Sequence, residues 1–353
     1  MEHELRIEPG AQVNCRCLSA GAGCLVKTGS RIDCDRLFLG EGTIIEAGVC
    51  IQGAQLQTGH HCRIGEGTLI TIKEYLQLGD RCSLGKGNVW DVRRATVGRE
   101  LWTGPQVRIG GGSWAEVHSE LSAGYWLHLG MRTFVNTARK VSIGNEVGIG
   151  TGSAIFTHGA YQSGLAGFPV AFAPITIGDN CWIPGAVINP GVTIGRNAVI
   201  GVGSVVTRSI PEGALAAGVP CRIIRENAFP RPLSENERQI FLADLFRTAA
   251  AILSDFTRQP AEFIESELVI RLPDCTIRYQ TGAIEVFRDQ SGFSGSTQEP
   301  VRFLLDEKRI TGTADAVTEK LRDLLRRYGI RFFADIADGT YYDWRVHDSA
   351  SNV

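Results

Sequence analysis

ITIGDNCWIPGAVINPGVTIGRNAVIGVGSVVTRSIPEGALAAGVPCRIIR, residues Ile175 to Arg225, repeats with a period of six: Ile188, Ile194, Ile200 and Val206 are evenly spaced, and Gly follows Ile177, Ile194 and Ile200. Neither an α-helix, with 3.6 residues per turn, nor a lone strand, with an alternation of two, has that period. A parallel β-helix does: three hexads close one triangular coil of about eighteen residues. The aliphatic residue of each hexad points into the prism, the residues after it turn the corner, and the backbone is hydrogen-bonded by stacking on the next coil.

The same register can be followed back almost to the start of the chain. Leu39, Ile45 and Ile51 are in phase, as are Ile64, Ile70 and Leu76. After a slip come Leu78–Gly79 and Leu84–Gly85, then Val97–Gly98 and Ile109–Gly110, a phase that Leu121 and Leu127 keep. Ile143–Gly144, Ile149–Gly150 and Ile155 form a further series. Residues 10–223 therefore read as one β-helix of roughly eleven coils.

The composition agrees. Forty-two glycines with only two methionines and 8% aromatic residues suit short strands and tight corners. A net charge of −2 gives no reason to expect nucleic acid or an anionic membrane. The opening MEHELRIEPG is polar and acidic, so no signal peptide is expected, and no apolar run is long enough to predict a membrane-spanning helix. Ten cysteines without a CxxC pair read as small buried hydrophobes in a reducing cytoplasm, with no metal site expected. Trp90, Trp102, Trp114 and Trp126 are twelve apart, each one residue before an inward position, and are expected to face outward. Such rings could stack on sugar, form a subunit interface or be covered by another part of the chain.

Between Ile155 and Ile175 the segment FTHGAYQSGLAGFPVAFAP breaks the hexads and reads as an external loop. His158 stands where the register gives out. Its side chain is suited to take a proton from a hydroxyl or an ammonium near neutral pH, although a histidine taken alone is more often structural than catalytic.

The surroundings of His158 resemble the hexapeptide-repeat acyltransferases, most closely their sugar O-acetyltransferase branch. The resembling residues are Phe134-Val135-Asn136, Ile143-Gly144-Asn145, Thr157-His158, Ile177 to Ile183 and Asn189 to Gly195. They continue through Gly203 to Arg208, Ile210-Pro211 and Gly218 to Arg222. The resemblance implies a mainly β, left-handed parallel β-helix, a homotrimer, and acetyl-CoA as a cosubstrate lying between two prisms. It implies His158 as catalytic base and Asn136 in contact with a saccharide acceptor. Trp182 and Gly203 would lie along the CoA groove, Thr207 and Arg208 near the CoA phosphates, and Arg222 and Arg225 at the nucleotide end, where a planar guanidinium suits phosphate. The sequence departs from the family pattern in places. Ile183 to Ile188 is five residues rather than six, Pro184 stands where Gly is usual, and Arg208 replaces Lys. The loop after His158 lacks the frequent basic residues.

Transfer from a thioester needs no covalent enzyme intermediate. It needs the acceptor placed at the carbonyl, a base, and donors for the oxyanion. The expected activity is acetyl transfer to a saccharide hydroxyl, in surface polysaccharide or glycoconjugate biosynthesis, by a cytoplasmic protein. N-acylation of a nucleotide-linked amino sugar would use the same base. A non-catalytic structural β-helix would bind no acyl-CoA. A β-helix metalloenzyme would need three converging histidines, and His60, His61, His118 and His128 do not fall in the required hexad pattern.

The β-helical domain is expected over residues 1–225. A linker and helix follow over 226–260, with Ser234 and Glu237 as a capping box ahead of a stripe of Leu242, Leu245, Phe246, Ala249 and Leu253. Residues 261–353 read as a small α+β domain, a recognition module or an appendage. Its strands are expected at 268–272, 275–280, 284–288, 301–305, 330–334 and 341–346, with an amphipathic helix over 315–328.

Overall fold

The computed structural model describes residues 5–112, 116–288, 299–313 and 315–333. The chain divides into two compact units, one ending at Arg231 and one beginning at Pro232. The first is a parallel β-helix. One face is a twelve-stranded sheet whose strands follow one another coil by coil as far as Leu215–Ala217, with Arg222–Arg225 folding back antiparallel at the end, and the other two faces share a fourteen-stranded sheet.

The core of the prism is the aliphatic register read from the sequence. Ile45, Ile51, Ile64, Leu76, Ile149, Ile155, Ile183, Ile188, Ile194, Ile200 and Val206 are all buried. The glycine after the inward residue is enforced by the stacking of coils. A Cβ on Gly65 would lie 2.5 Å from the Leu84 carbonyl oxygen, and one on Gly150 would lie 2.6 Å from the Pro184 backbone. Buried hydroxyls at the corners find carbonyls to satisfy them: Ser153 donates to Gly150 O at 2.8 Å and Ser204 to Gly201 O at 2.6 Å.

The early coils are longer than eighteen residues. Arg31 pairs with Cys50 and Cys50 with Leu69, a step of nineteen. Strands such as Arg31–Leu39, Cys50–Thr58 and Val89–Val97 run continuously around the corner between two faces and absorb the extra residue there, where buried positions lie three apart rather than two, as at Val92 and Ala95.

That extra residue corrects the tryptophan reading. Trp90 pairs with Ile70 and Ile109 at an inward position and is 1% exposed. Trp126, also buried, sits at a corner with φ 53° and packs edge-on against Tyr125. Only Trp102 lies on a face, half-buried and stacked on His128 with centroids 4.4 Å apart. Trp114 lies outside the described residues.

Two coils are interrupted. From Trp102 to its partner His128 is 26 residues, and from Gly148 to its partner Trp182 is 34. The second excursion is the expected loop after His158. The first, near residues 111–120, was hidden in the sequence because Ile109 and Leu121 happen to stay twelve apart.

All ten cysteines are free, and seven are buried. Burial pushes the Cys181 thiol up to about 11 and the Cys34 thiol up to about 12, so both remain protonated at neutral pH.

In the second unit, a six-stranded antiparallel sheet packs with helix α1 (Glu235–Thr257) and helix α2 (Ala316–Arg327) around one core. That core includes Leu245, Phe246, Ile277, Phe303, Leu321 and Leu325. The helix expected as a linker element thus contributes its stripe to this core. The capping box is present: Ser234 Oγ accepts from the Glu237 amide. Replacing Ser234 with Ala is expected to cost this unit about 1 kcal/mol, read as the loss of helical signal at lower urea. In place of a strand at 330–334, the described residues show a single bridge from Phe333 to Arg309, and the strand expected at 341–346 lies outside them. No helix among the described residues is long and apolar enough to cross a membrane.

Candidate active site

The site is built at one corner of the prism. Val135, Ile155, Ile188 and Val206 are stacked in register, so the residues that follow them, Asn136, Phe156, Asn189 and Thr207, form a column along that corner. At Phe156 the chain still bonds the next coil, its amide donating to Ile188 O at 2.9 Å. It then leaves the prism. His158–Gly159 pair antiparallel with Ala171–Phe172, and the chain returns through Ala173, whose amide donates to Thr157 O at 2.9 Å. The hairpin tip is exposed, with Tyr161 and Leu165 almost wholly in solvent.

His158 is oriented by a residue the sequence could not assign to that role. Asn136 is 2% exposed, and every polar atom of its amide is engaged. Its Nδ2 donates to Gly111 O at 2.7 Å and Gly110 O at 3.3 Å, which turns Oδ1 the other way. There Oδ1 accepts from Thr157 Oγ1 at 2.5 Å and lies 2.8 Å from His158 Nδ1. An amide oxygen can only accept, so Nδ1 carries a proton, and in the neutral ring the lone pair is on Nε2. The imidazole is also stacked on Phe172, ring centroids 5.4 Å apart and planes 16° apart. The arrangement can hold a neutral histidine as a proton acceptor at the edge of the prism. In this chain Asn136 has no amide atom left over for an acceptor molecule.

The remaining residues expected in the site fall in three places. Thr207 and Arg208, both exposed, continue the His158 corner two coils further on, about 10 Å along the axis at the usual spacing of strands. Trp182, 60% exposed, stands on the twelve-stranded face, in a line with Val199, Leu215 and Arg225. Arg222 is exposed on the same final strand, Arg222–Arg225, and Gly203 lies at a different corner. Within one chain these residues do not converge. The shortened step between Ile183 and Ile188 is taken up at Pro184–Gly185, where Gly185 has φ 132°.

Residues 174–208 match the family described as bacterial transferase hexapeptide (six repeats). The chain is also 41% identical over 124 residues to the galactoside O-acetyltransferase of Escherichia coli K12, covering 32% of this chain and 60% of that protein. The chain belongs to the hexapeptide-repeat transferases. Among solved structures, this hexapeptide-repeat transferase is 36% identical to a galactoside acetyltransferase in complex with coenzyme A. That likeness covers 38% of this chain and 66% of that one, with a TM-score of 0.28. It is 30% identical to a maltose O-acetyltransferase from Clostridium difficile 630, covering 38% and 68%, with a TM-score of 0.26. The chain thus spans less than two thirds of the galactoside acetyltransferases it matches.

Several residues of this corner carry no signal in the hexad pattern. Thr157, Phe172, Arg139 and Glu116 come together because two excursions from the prism return to one corner, and only the positions of those excursions could have pointed to them.

Proposed function

We propose that the chain is an acetyl-CoA-dependent O-acetyltransferase that acts on a saccharide hydroxyl by direct transfer. The observation that carries the reading is the hydrogen bond of His158 Nδ1 to Asn136 Oδ1, which leaves Nε2 as the base. In the reaction, Nε2 takes the hydroxyl proton as the acceptor oxygen attacks the thioester carbonyl. The new C–O bond forms, the C–S bond breaks, and the proton passes to the departing CoA thiolate. Positioning of the two substrates supplies much of the rate, up to about 7–11 kcal/mol in ideal cases. Asn136 orients the base rather than binding the acceptor. The identity to a galactoside O-acetyltransferase supports a saccharide as acceptor.

The separation of Trp182, Arg222 and Arg225 from the His158 corner favours a homotrimer, in which the face of one copy meets the corner of another and the groove between them holds acetyl-CoA. We propose with it a cytoplasmic place in surface polysaccharide or glycoconjugate synthesis, a reading supported by acetyl-CoA as the donor and a saccharide as the acceptor.

Thermal unfolding with acetyl-CoA tests the reading without an acceptor. At about 100 times Kd the ligand should stabilise the β-helical unit by about 2.7 kcal/mol. Arg208→Ala should reduce that shift at fixed ligand. No shift at millimolar acetyl-CoA overturns the transferase reading in favour of a structural β-helix.

A further inference from the structure

A single hydrogen bond at Nδ1 fixes the direction of the His158 ring but not its plane, and a base must present its lone pair along one line to the acceptor proton. The plane is set by Phe172. His158 and Phe172 face each other across the two-stranded hairpin, and their rings are stacked 16° from parallel. Phe172 is 41% exposed, so burial alone does not hold it. Arg139 does, with its guanidinium carbon 4.7 Å from the Phe172 ring centroid.

Arg139 is itself fixed at both ends. Its backbone amide donates to Thr157 Oγ1 at 3.1 Å, and its guanidinium donates to Ala138 O at 2.8 Å and is ion-paired with Glu116. Glu116 belongs to the excursion between Ile109 and Leu121, which starts from the same Gly110 and Gly111 carbonyls that orient the Asn136 amide. One excursion therefore supports the imidazole twice: in its plane through Asn136, and across its plane through Arg139 and Phe172.

We infer that Phe172, seated by Arg139 and Glu116, is a positioning residue that sets the plane of the His158 imidazole and hence the direction of Nε2. The inference rests on His158 being the base, and it assigns Gly110, Gly111 and Glu116 a part in catalysis without contact with either substrate.

The test uses the full chain labelled with 15N-histidine, the His158 signals being assigned by their loss in His158→Ala. Wild type should show a protonated Nδ1 and a bare Nε2, with slow exchange of the Nδ1 proton. Phe172→Ala should speed that exchange about tenfold or more and lower kcat about 10–100-fold, with the KM for acetyl-CoA within about twofold. Phe172→Tyr should keep the stack and both wild-type properties, and Arg139→Gln should fall between. Unchanged exchange and kcat in Phe172→Ala overturn the inference, as does Phe172→Tyr behaving like Phe172→Ala with melting preserved. The base reading fails separately, if His158→Ala keeps its turnover while Phe172→Ala still alters the imidazole signals.

Discussion

His158→Ala is expected to lower acetyl transfer by about two to four orders of magnitude, the usual contribution of a positioned general base. Release of the CoA thiol on a galactoside acceptor is the readout. Acetyl-CoA binding should persist, because the basic residues expected at the CoA phosphates and nucleotide, Arg208, Arg222 and Arg225, lie on other coils and another face. The loss should therefore fall on kcat, with the acetyl-CoA stabilisation shift retained. Half-buried at the start of a hairpin, His158 contributes no side chain to the aliphatic core, so the variant should melt close to wild type. Turnover within threefold of wild type would remove the base assignment, and with it the catalytic meaning of the Asn136 contact.

The inward line of the prism was legible because each coil repeats one chemical demand: an aliphatic residue every six, and a glycine where the next coil comes too close for a Cβ. Ile149–Gly150 and Ile194–Gly195 state that demand directly. His158 was legible as the polar residue at which the demand lapses. Its support was not, because Asn136, Arg139 and Phe172 meet through tertiary returns of the chain that no local period encodes. Asn136 shows the limit best. The sequence offered it as an acceptor contact, whereas its amide is consumed by two carbonyls, a hydroxyl and an imidazole. Trp90 shows a second limit. Counting back six from Val97 falls on Asp91 and turns Trp90 outward, but the inward positions Val92 and Ala95 are three apart at the corner, and that step turns Trp90 inward.

That inward tryptophan leads to the largest expected loss of stability. Trp90→Ala should cost the β-helical unit about 3–5 kcal/mol, since a fully buried indole is replaced by a cavity. The site has a volume partner. In the column of Trp90 the neighbouring coils place Ile70 and Ile109. In the column of Ala95 they place Leu76 and Leu121. One coil thus exchanges an Ile and a Leu for a Trp and an Ala, two changes of opposite sign in side-chain volume. Trp90→Ile alone should leave part of the cavity. Adding Ala95→Leu should restore the volume and bring the double variant within about 1.5 kcal/mol of wild type, the tolerance of volume-conserving core exchanges. Because coils are stabilised by their immediate neighbours, the single variant should open locally, with faster hydrogen exchange in the strands Leu69–Leu78 and Arg108–Gly110 beside it. Urea unfolding of the two single variants and the double measures the coupling directly. A double variant no more stable than Trp90→Ile, or a cost below about 1 kcal/mol for Trp90→Ala, would show that the indole is not packed as a core residue.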